Sequence, residues 1–393
     1  MKRWLVMTVM TLLLAGCGQS QQEEATSLRA PNTSESAASV DNEPSFFTEG
    51  LEANSEEVLA RFQAEDAELP AVDLRGSGVQ ESHFLRLNDV DQYVYEVGQG
   101  DDLPVAIFLH GGPGFSYTDQ ADSLAGLADE VNLLFWDQLG AGETYTGNPS
   151  VEPTMTDLQA SLSDLVAYAK ARYGVDQVGI IGHSWGSALG SAYARENPDD
   201  VAFYVGIGQV VTPVEDEAVA LSQTRDLAAS VGRQDLIDQL AGISGDYPDP
   251  DDFLTLAYDA ATLRSVQAEL GFGTVDFVQY LPLLLTGQTA ELSDSNQEML
   301  DRLLLSQRLY RELLATDFYE GGLEFKMPFY LISGENDIQV PTSQAETLID
   351  AVQAPTKDIT VIPDAGHTPM IDQETIFMQT MTTIIDQTFS VNG

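Results

Sequence analysis

One serine lies between two glycines in Gly182-His183-Ser184-Trp185-Gly186, after the apolar run Val178–Ile181 and before the small-residue run Ala188–Ala194. A buried strand, a sharp turn with one hydroxyl at its tip and a following helix hold a serine in strained backbone and present its Oγ as a nucleophile. Glycines suit the flanks of such a turn because side chains there would collide with the strand and the helix. A serine hydroxyl needs a base to activate it and N–H donors to stabilise the oxyanion it creates. An acid and then a histidine should therefore follow in the chain, and a glycine-rich donor loop should precede.

The chain has four histidines, His83, His110, His183 and His367, and His367 alone lies beyond the serine motif. It is the expected general base, on a loop after the strand-like Ile359–Ile362. The acid should end the preceding strand, Phe329–Ser333, which Gly334-Glu335-Asn336-Asp337 follows. Asp337 is the first choice, with Glu335 or Asp364 as alternatives; it would orient the imidazole and stabilise the imidazolium. The donor loop is His110-Gly111-Gly112-Pro113-Gly114, after the strand Val105–Leu109. The backbone N–H groups of Gly112 (or Gly111) and Trp185 are expected to form the oxyanion hole, leaving His110 to shape the loop.

These residues need strands to carry them. Antiparallel strands are expected near His83–Leu87 and Tyr93–Val97, then parallel strands near Val105–Leu109, Asn132–Asp137, Val178–Gly182, Phe203–Gly208, Phe329–Ser333 and Ile359–Ile362. Helical segments such as Met155–Tyr173 intervene, so the spacing predicts a mainly parallel sheet covered on both faces. Reactive residues then fall at the carboxyl ends of strands. Thr368-Pro369 reads as an N-cap and first helical position. Phe377, Met381, Ile384, Ile385 and Thr388 continue at helical spacing. Between Thr212 and about Gly322 the alternation gives way to helical, Leu-rich runs, Leu281–Leu285 and Leu303–Leu314 among them.

His110–Gly114, Trp136-Asp137-Gln138-Leu139-Gly140-Ala141-Gly142, Gly182–Ser187 and the Asp337/His367 pair together resemble the proline iminopeptidase branch of the α/β-hydrolase superfamily. The likeness runs from about His83 to the C-terminus. It implies an α/β-hydrolase fold with an inserted helical cap, and a serine exopeptidase that releases an N-terminal residue, often proline, from short peptides. That family usually carries Asp-Gln-Arg-Gly; here Leu139 replaces the arginine, which loosens the substrate assignment. Asp137 and Gln138 read as residues that fix the turn after their strand. An exopeptidase must recognise a free ammonium, and a carboxylate in a partly dry pocket does this well. Cap glutamates serve this role in the family, which points to Glu217, with Glu215 and Glu269 as alternatives. Phe272, Phe277 and Tyr280 are candidates for a pocket wall or for cap packing, and the Trp185 indole for a wall of the acyl pocket.

The 393 residues suffice for one large α/β domain, an insertion and a leader. Lys2-Arg3 precedes the apolar stretch Trp4–Leu14, and Leu14-Ala15-Gly16-Cys17 follows. This is similar to a bacterial lipoprotein signal, with Cys17 as the lipidation site and the only cysteine. A diacylated Cys17 would give a two-chain membrane anchor, and Gly18 after it suggests the outer rather than the inner membrane. Gly18–Ser45 reads as a polar tether, and Leu51–Ala67 as an amphipathic helix. The formal charge is −45, and loss of Lys2 and Arg3 would deepen it; nucleic acid and anionic lipid headgroups are excluded as partners. The acidity fits a solvated surface tuned to a salty exterior.

The expected organisation is a signal peptide over 1–17, a tether and extension over 18–80, the first half of the core over 81–211, a cap over 212–322 and the second half of the core over 323–393. The expected function is an envelope serine hydrolase, an aminopeptidase acting on small peptides, with no cofactor and no metal. The alternatives are an esterase or amidase on small molecules, or a binding lipoprotein that kept the fold.

Overall fold

The computed structural model describes residues 55–64, 79–99, 103–116, 124, 126–249, 251–272, 305 and 307–389. Cys17, the leader, the Gly18–Ser45 tether, Leu281–Leu285, Phe277 and Tyr280 lie outside the described residues.

Eight strands form one sheet in the order β1-β2-β4-β3-β5-β6-β7-β8. They are β1 (Val79–Leu87), β2 (Val90–Gly98), β3 (Val105–Leu109), β4 (Asn132–Trp136), β5 (Val178–His183), β6 (Val201–Ile207), β7 (Phe329–Gly334) and β8 (Lys357–Ile362). The hairpin β1–β2 is antiparallel, and β2 joins β4 antiparallel. From β4 to β8 every pairing is parallel. The expected strands are all present, several extended by a few residues.

Strands β3, β4 and β5 are buried at every position, as a sheet covered on both faces requires. Their alternate side chains feed two cores. Val105, Ile107 and Leu109 pack with Leu158, Leu162 and Leu165 of α3 (Met155–Tyr173). Ala106 and Phe108 pack on the other face with Phe377, Met381 and Ile385. The helix α3 keeps the expected bounds because its ends are well signalled. Thr154 and Asp157 form a reciprocal capping box, and Gly174 closes the helix in the left-handed region. The C-terminal helix is split into α10 (Pro369–Asp372) and α11 (Glu374–Phe389).

The amphipathic helix expected over Leu51–Ala67 is shorter where it is described, as α1 (Ser55–Ala60). The residues after it dock on the domain: Phe62 is buried, its ring meets Tyr168 edge-on at 6.0 Å, and Arg86 N–H donates to the Phe62 carbonyl at 2.7 Å. Nearby, buried Glu96 of β2 accepts from Tyr168 Oη at 2.7 Å, Arg172 Nε at 2.7 Å and Tyr173 Oη at 2.6 Å, and lies 3.1 Å from His83 Nε2. This network ties the hairpin to α3.

Between β6 and β7 the described chain is helical, with α5 (Pro213–Ser230), α6 (Gln234–Leu240), α7 (Phe253–Glu269) and α8 (Gln307–Leu314). Ala220, Leu236, Leu240, Leu256, Leu263, Val266 and Leu314 give these helices a core of their own. The remaining helices are α2 (Gly142–Gly147), α4 (Trp185–Glu196) and α9 (Thr342–Ala351).

Candidate active site

Ser184 is the tip of the turn between β5 and α4, with φ 52° and ψ −120°. A non-glycine residue there is strained, and the surroundings hold it in place. Its N–H donates to the Ile207 carbonyl at 2.8 Å. A Cβ on Gly182 would meet Gly186 O at 2.4 Å, and one on Gly186 would meet Leu109 O at 2.2 Å. The strand and helix therefore touch through these glycines, as expected. Ser187 locks the next turn: its Oγ donates to the Ser184 carbonyl at 2.6 Å and accepts from Val210 N–H at 3.0 Å.

The acid and the histidine meet. His367 Nδ1 donates to Asp337 Oδ2 at 2.8 Å, and both side chains are buried. Asp337 Oδ1 accepts from Gln339 N–H at 3.0 Å and Val340 N–H at 2.9 Å. A carboxylate loaded with donors in this way leaves the Nδ1 proton on the imidazole, so Nε2 is the acceptor. His367 Nε2 is buried and makes no hydrogen bond. Of the alternatives, Glu335 is exposed and accepts from Asp364 N–H at 3.3 Å. Sequence alone could not separate Glu335 from Asp337; the turn after β7 does.

The acid and histidine loops are joined, Asn336 N–H to Ala365 O at 2.8 Å and Glu335 N–H to Ile362 O at 2.8 Å. The dyad presses on the end of β6, where a Cβ on Gly208 would come 3.0 Å from His367 Cε1 and 3.3 Å from Asp337 Oδ2.

His183 has a part the sequence reading did not give it. Its Nε2 donates to the His367 carbonyl at 2.9 Å, and the two ring centroids are 4.9 Å apart. Burial, reinforced by the adjacent His367, pushes its pKa down to about 3, so it is a neutral donor. A histidine beside the serine on a fully buried strand was the available signal.

The loop after β3 lies against the serine: a Cβ on Gly111 would be 3.3 Å from Ser184 Cβ. Gly112 has φ +123° and packs so tightly that a Cβ there would be 2.6 Å from Gly114 N, which explains glycine at this bend. His110 Nδ1 donates to Gly111 O at 2.8 Å, while its Nε2 accepts from Gln138 N–H at 3.1 Å. Burial holds the His110 pKa below its usual range, which keeps this tautomer neutral. Gln138 Nε2 donates to His110 O at 3.2 Å, and Trp185 Nε1 donates to Gln138 Oε1 at 2.9 Å. Asp137 accepts from Ser116 Oγ and from Glu143 N–H, the latter at 2.8 Å. The Trp185 indole is thus a buried strut between elements. Leu139 is buried in the core, so the position that departs from the family pattern is an apolar packing site.

Glu217 differs from expectation. It is buried, with Oε1 bonded to Arg264 Nη2 and Oε2 bonded to Tyr247 Oη. Its charge is thus partnered within the cap by the Arg264 guanidinium, a partner the sequence reading did not give it. Burial opposes the Arg264 charge, but Glu217 foremost, with Tyr247, Tyr310 and Asp337, outweighs it and holds the guanidinium above its usual range. Glu215 is exposed, and exposed Glu269 pairs with Arg233 at 2.8 Å. The signal missed was Arg264, far along the chain from Glu217. The helix bearing Arg264 and the residues just after it sit over the dyad loops: Gln267 Nε2 donates to Ile338 O at 2.6 Å, and Phe272 O, past the helix end, is 3.7 Å from a Cβ built on Gly366.

Among the described residues no cluster of His, Cys, Asp or Glu could hold a metal, and no helix is long and apolar enough to cross a membrane.

A family model described as alpha/beta hydrolase fold matches residues 104–374. The chain belongs to this family. It is 26% identical over 305 residues to a probable aminopeptidase, YbaC, of Bacillus subtilis, covering 76% of this chain and 93% of that protein. A proline iminopeptidase of Neisseria gonorrhoeae is 31% identical over 121 residues, 30% of this chain and 37% of the relative. Among solved structures, a proline iminopeptidase-related protein from Thermus thermophilus superposes with a TM-score of 0.53 at 18% identity, covering 79% of this chain and 98% of that one. At that identity the α/β-hydrolase shares the fold.

Proposed function

We propose that this α/β-hydrolase is a serine hydrolase that works through an acyl-enzyme, and that its substrates are short peptides with a free N-terminus. The observation that carries the reading is the buried Asp337–His367 hydrogen bond of 2.8 Å, held beside the strained Ser184 by the His183–His367 contact. Ser184 Oγ attacks the carbonyl carbon while His367 Nε2 takes its proton; Asp337 steadies the resulting imidazolium. The N–H groups of Gly112 and Trp185 receive the oxyanion. Trp185 opens α4, so its N–H lacks a partner within the helix and sits at the positive end of the helix dipole. The imidazolium then protonates the leaving amine, and a water activated by His367 releases the acyl group.

Aminopeptidase action is supported by the family motifs and by the relative named as a probable aminopeptidase, aligned over most of its length. A second reading, an esterase or amidase on uncharged small molecules, is favoured by the Glu217–Arg264 pair, which gives the expected ammonium anchor a cationic partner already within the chain. The lipobox-like Leu14–Cys17 supports an envelope enzyme anchored through lipidated Cys17.

The deciding assay compares prolyl- and alanyl-naphthylamide, their N-acetylated forms and a short p-nitrophenyl ester, with Ser184→Ala as control. Turnover of the free-amine amides but not the acetylated ones supports the aminopeptidase. Ester turnover alone supports the second reading. A wild-type protein that turns over none of these, and whose Ser184 resists a fluorophosphonate, is a binding protein.

A further inference from the structure

Gln138 is bonded to both segments that would supply oxyanion donors. Its backbone N–H meets His110 Nε2 at 3.1 Å, its side-chain Nε2 meets His110 O at 3.2 Å, and its Oε1 receives Trp185 Nε1–H at 2.9 Å. All three residues are 1% exposed. The amide has one workable orientation, because an indole N–H only donates and a peptide carbonyl only accepts. Its partners are 28 residues away on one side and 47 on the other, so one side chain joins parts of the chain that no local turn could hold together.

The groups it holds matter. The His110 carbonyl belongs to the peptide that carries the Gly111 N–H, and fixing its plane sets the course of the turn into Gly112. The Trp185 indole is fastened to the same amide, which fixes the side chain of the first residue of α4. The elbow also rests on that peptide: a Cβ on Gly186 would come 2.7 Å from His110 O. The neighbouring Asp137 holds the outer end of the loop through Ser116, so Gln138 governs the inner end, next to the serine.

We infer that Gln138 is a positioning residue for catalysis: it sets the spacing between the Gly112 and Trp185 N–H groups, and so the stability of the oxyanion. This rests on the reading of Ser184 as nucleophile. Oxyanion donors stabilise the transition state only where they already stand at hydrogen-bond distance from the oxygen that develops charge. Without the amide, His110 O and Trp185 Nε1 keep their positions only through packing, and the two donors move relative to each other.

The test uses the full chain and the variants Gln138→Met, Trp185→Phe and the double variant. The readouts are kcat and KM for a p-nitrophenyl ester, the affinity for an alkyl boronic acid that forms a tetrahedral anion on the serine, and Tm. Gln138→Met is expected to lower kcat about 10- to 100-fold with KM within about twofold. Boronic acid affinity should fall by the same factor as kcat/KM. Trp185→Phe keeps an aromatic ring but removes the donor together with part of the buried indole's volume; it leaves the Gln138 link to His110 intact, so it should lose less kcat in the same sense, with a lower Tm. The double variant should be no worse than Gln138→Met, because both remove one link. If Gln138→Met does not fold, Trp185→Phe carries the test through its kcat and boronic acid affinity. Unchanged kcat and boronic acid affinity below Tm, even with a lowered Tm, overturn the inference, as do losses that multiply in the double variant. An inactive wild-type chain whose Ser184 resists a fluorophosphonate overturns the serine hydrolase reading and this inference with it. An active wild type with active variants overturns this inference alone.

Discussion

His183 Nε2 donates to the main-chain carbonyl of His367 at 2.9 Å. The residue before the strained serine thus holds the histidine that would activate it, and the two ends of a proton transfer are fixed by one contact. Such a contact costs little to keep, because a neutral imidazole N–H and a peptide carbonyl satisfy each other away from water.

Removing that contact should cost catalysis more than folding. His183→Ala is expected to lower kcat/KM about 10-fold through misplacement of His367, and His183→Gln, which retains a donor, should recover part of it. His183 stays neutral down to about pH 3. The midpoint of the acid limb of the pH–rate profile should therefore be the same in wild type and variant, and only the plateau should drop; a stopped assay across pH 4–9 reads both.

Asp337→Asn tests the orientation of the base. Its Oδ1 keeps the Gln339 and Val340 N–H groups, so the new amide nitrogen faces His367 Nδ1 and forces the proton onto Nε2. The wrong tautomer should lower kcat by about 10⁴ with a nearly unchanged circular dichroism spectrum. A loss below about tenfold would remove Asp337 from the triad.

Glu96 sets an acid limit on stability. Burial alone would raise its pKa, but His83, the Arg172 guanidinium and Tyr173 outweigh it and lower the value from 4.5 to about 2. A carboxyl lowered on folding stabilises the native state above its unfolded value. That contribution, about 3 kcal/mol at neutral pH, is lost as pH falls from about 4.5 towards 2. Urea midpoints should drop across this window in the wild type, and the drop should be smaller in Glu96→Gln, which is already destabilised at pH 7.

Glu217→Gln should act on the cap. It strands the Arg264 guanidinium, of which only 14% of the side chain is exposed, and a buried charge without its partner costs about 3 kcal/mol. Adding Arg264→Met should restore much of the Tm. If instead Glu217→Gln leaves Tm alone and raises KM only for free-amine substrates, Glu217 contacts the substrate after all.

The sequence makes the sheet, the Ser184 turn and the His367 loop legible for a physical reason: each rests on a local pattern. Largely apolar runs mark β3, β4 and β5, the glycines around Ser184 mark the turn, and elimination among four histidines marks His367. What escaped was pairing between distant segments. Which acid of Gly334-Glu335-Asn336-Asp337 turns inward depends on how that turn meets the His367 loop. Glu217 looks like a cap carboxylate available for a ligand until Arg264 folds back onto it. Gln138 and His183 look like ordinary motif residues until Trp185, His110 and His367 arrive beside them. The helix expected over Leu51–Ala67 is described only as Ser55–Ala60, and Phe62, not a helix face, is its deepest buried residue.

The loop that carries His367 leaves the sheet from β8, one of its two edge strands, whose first residues are exposed. The rim of a sheet opens at lower free energy than its centre, and here it would carry away His367, the base in the proposed mechanism. The elbow, by contrast, springs from a central strand with neighbours on both sides. Inactivation and unfolding should therefore separate in mild urea, with activity fading while most of the far-ultraviolet signal survives. The working life of this hydrolase would then be set by one peripheral strand rather than by its large interior.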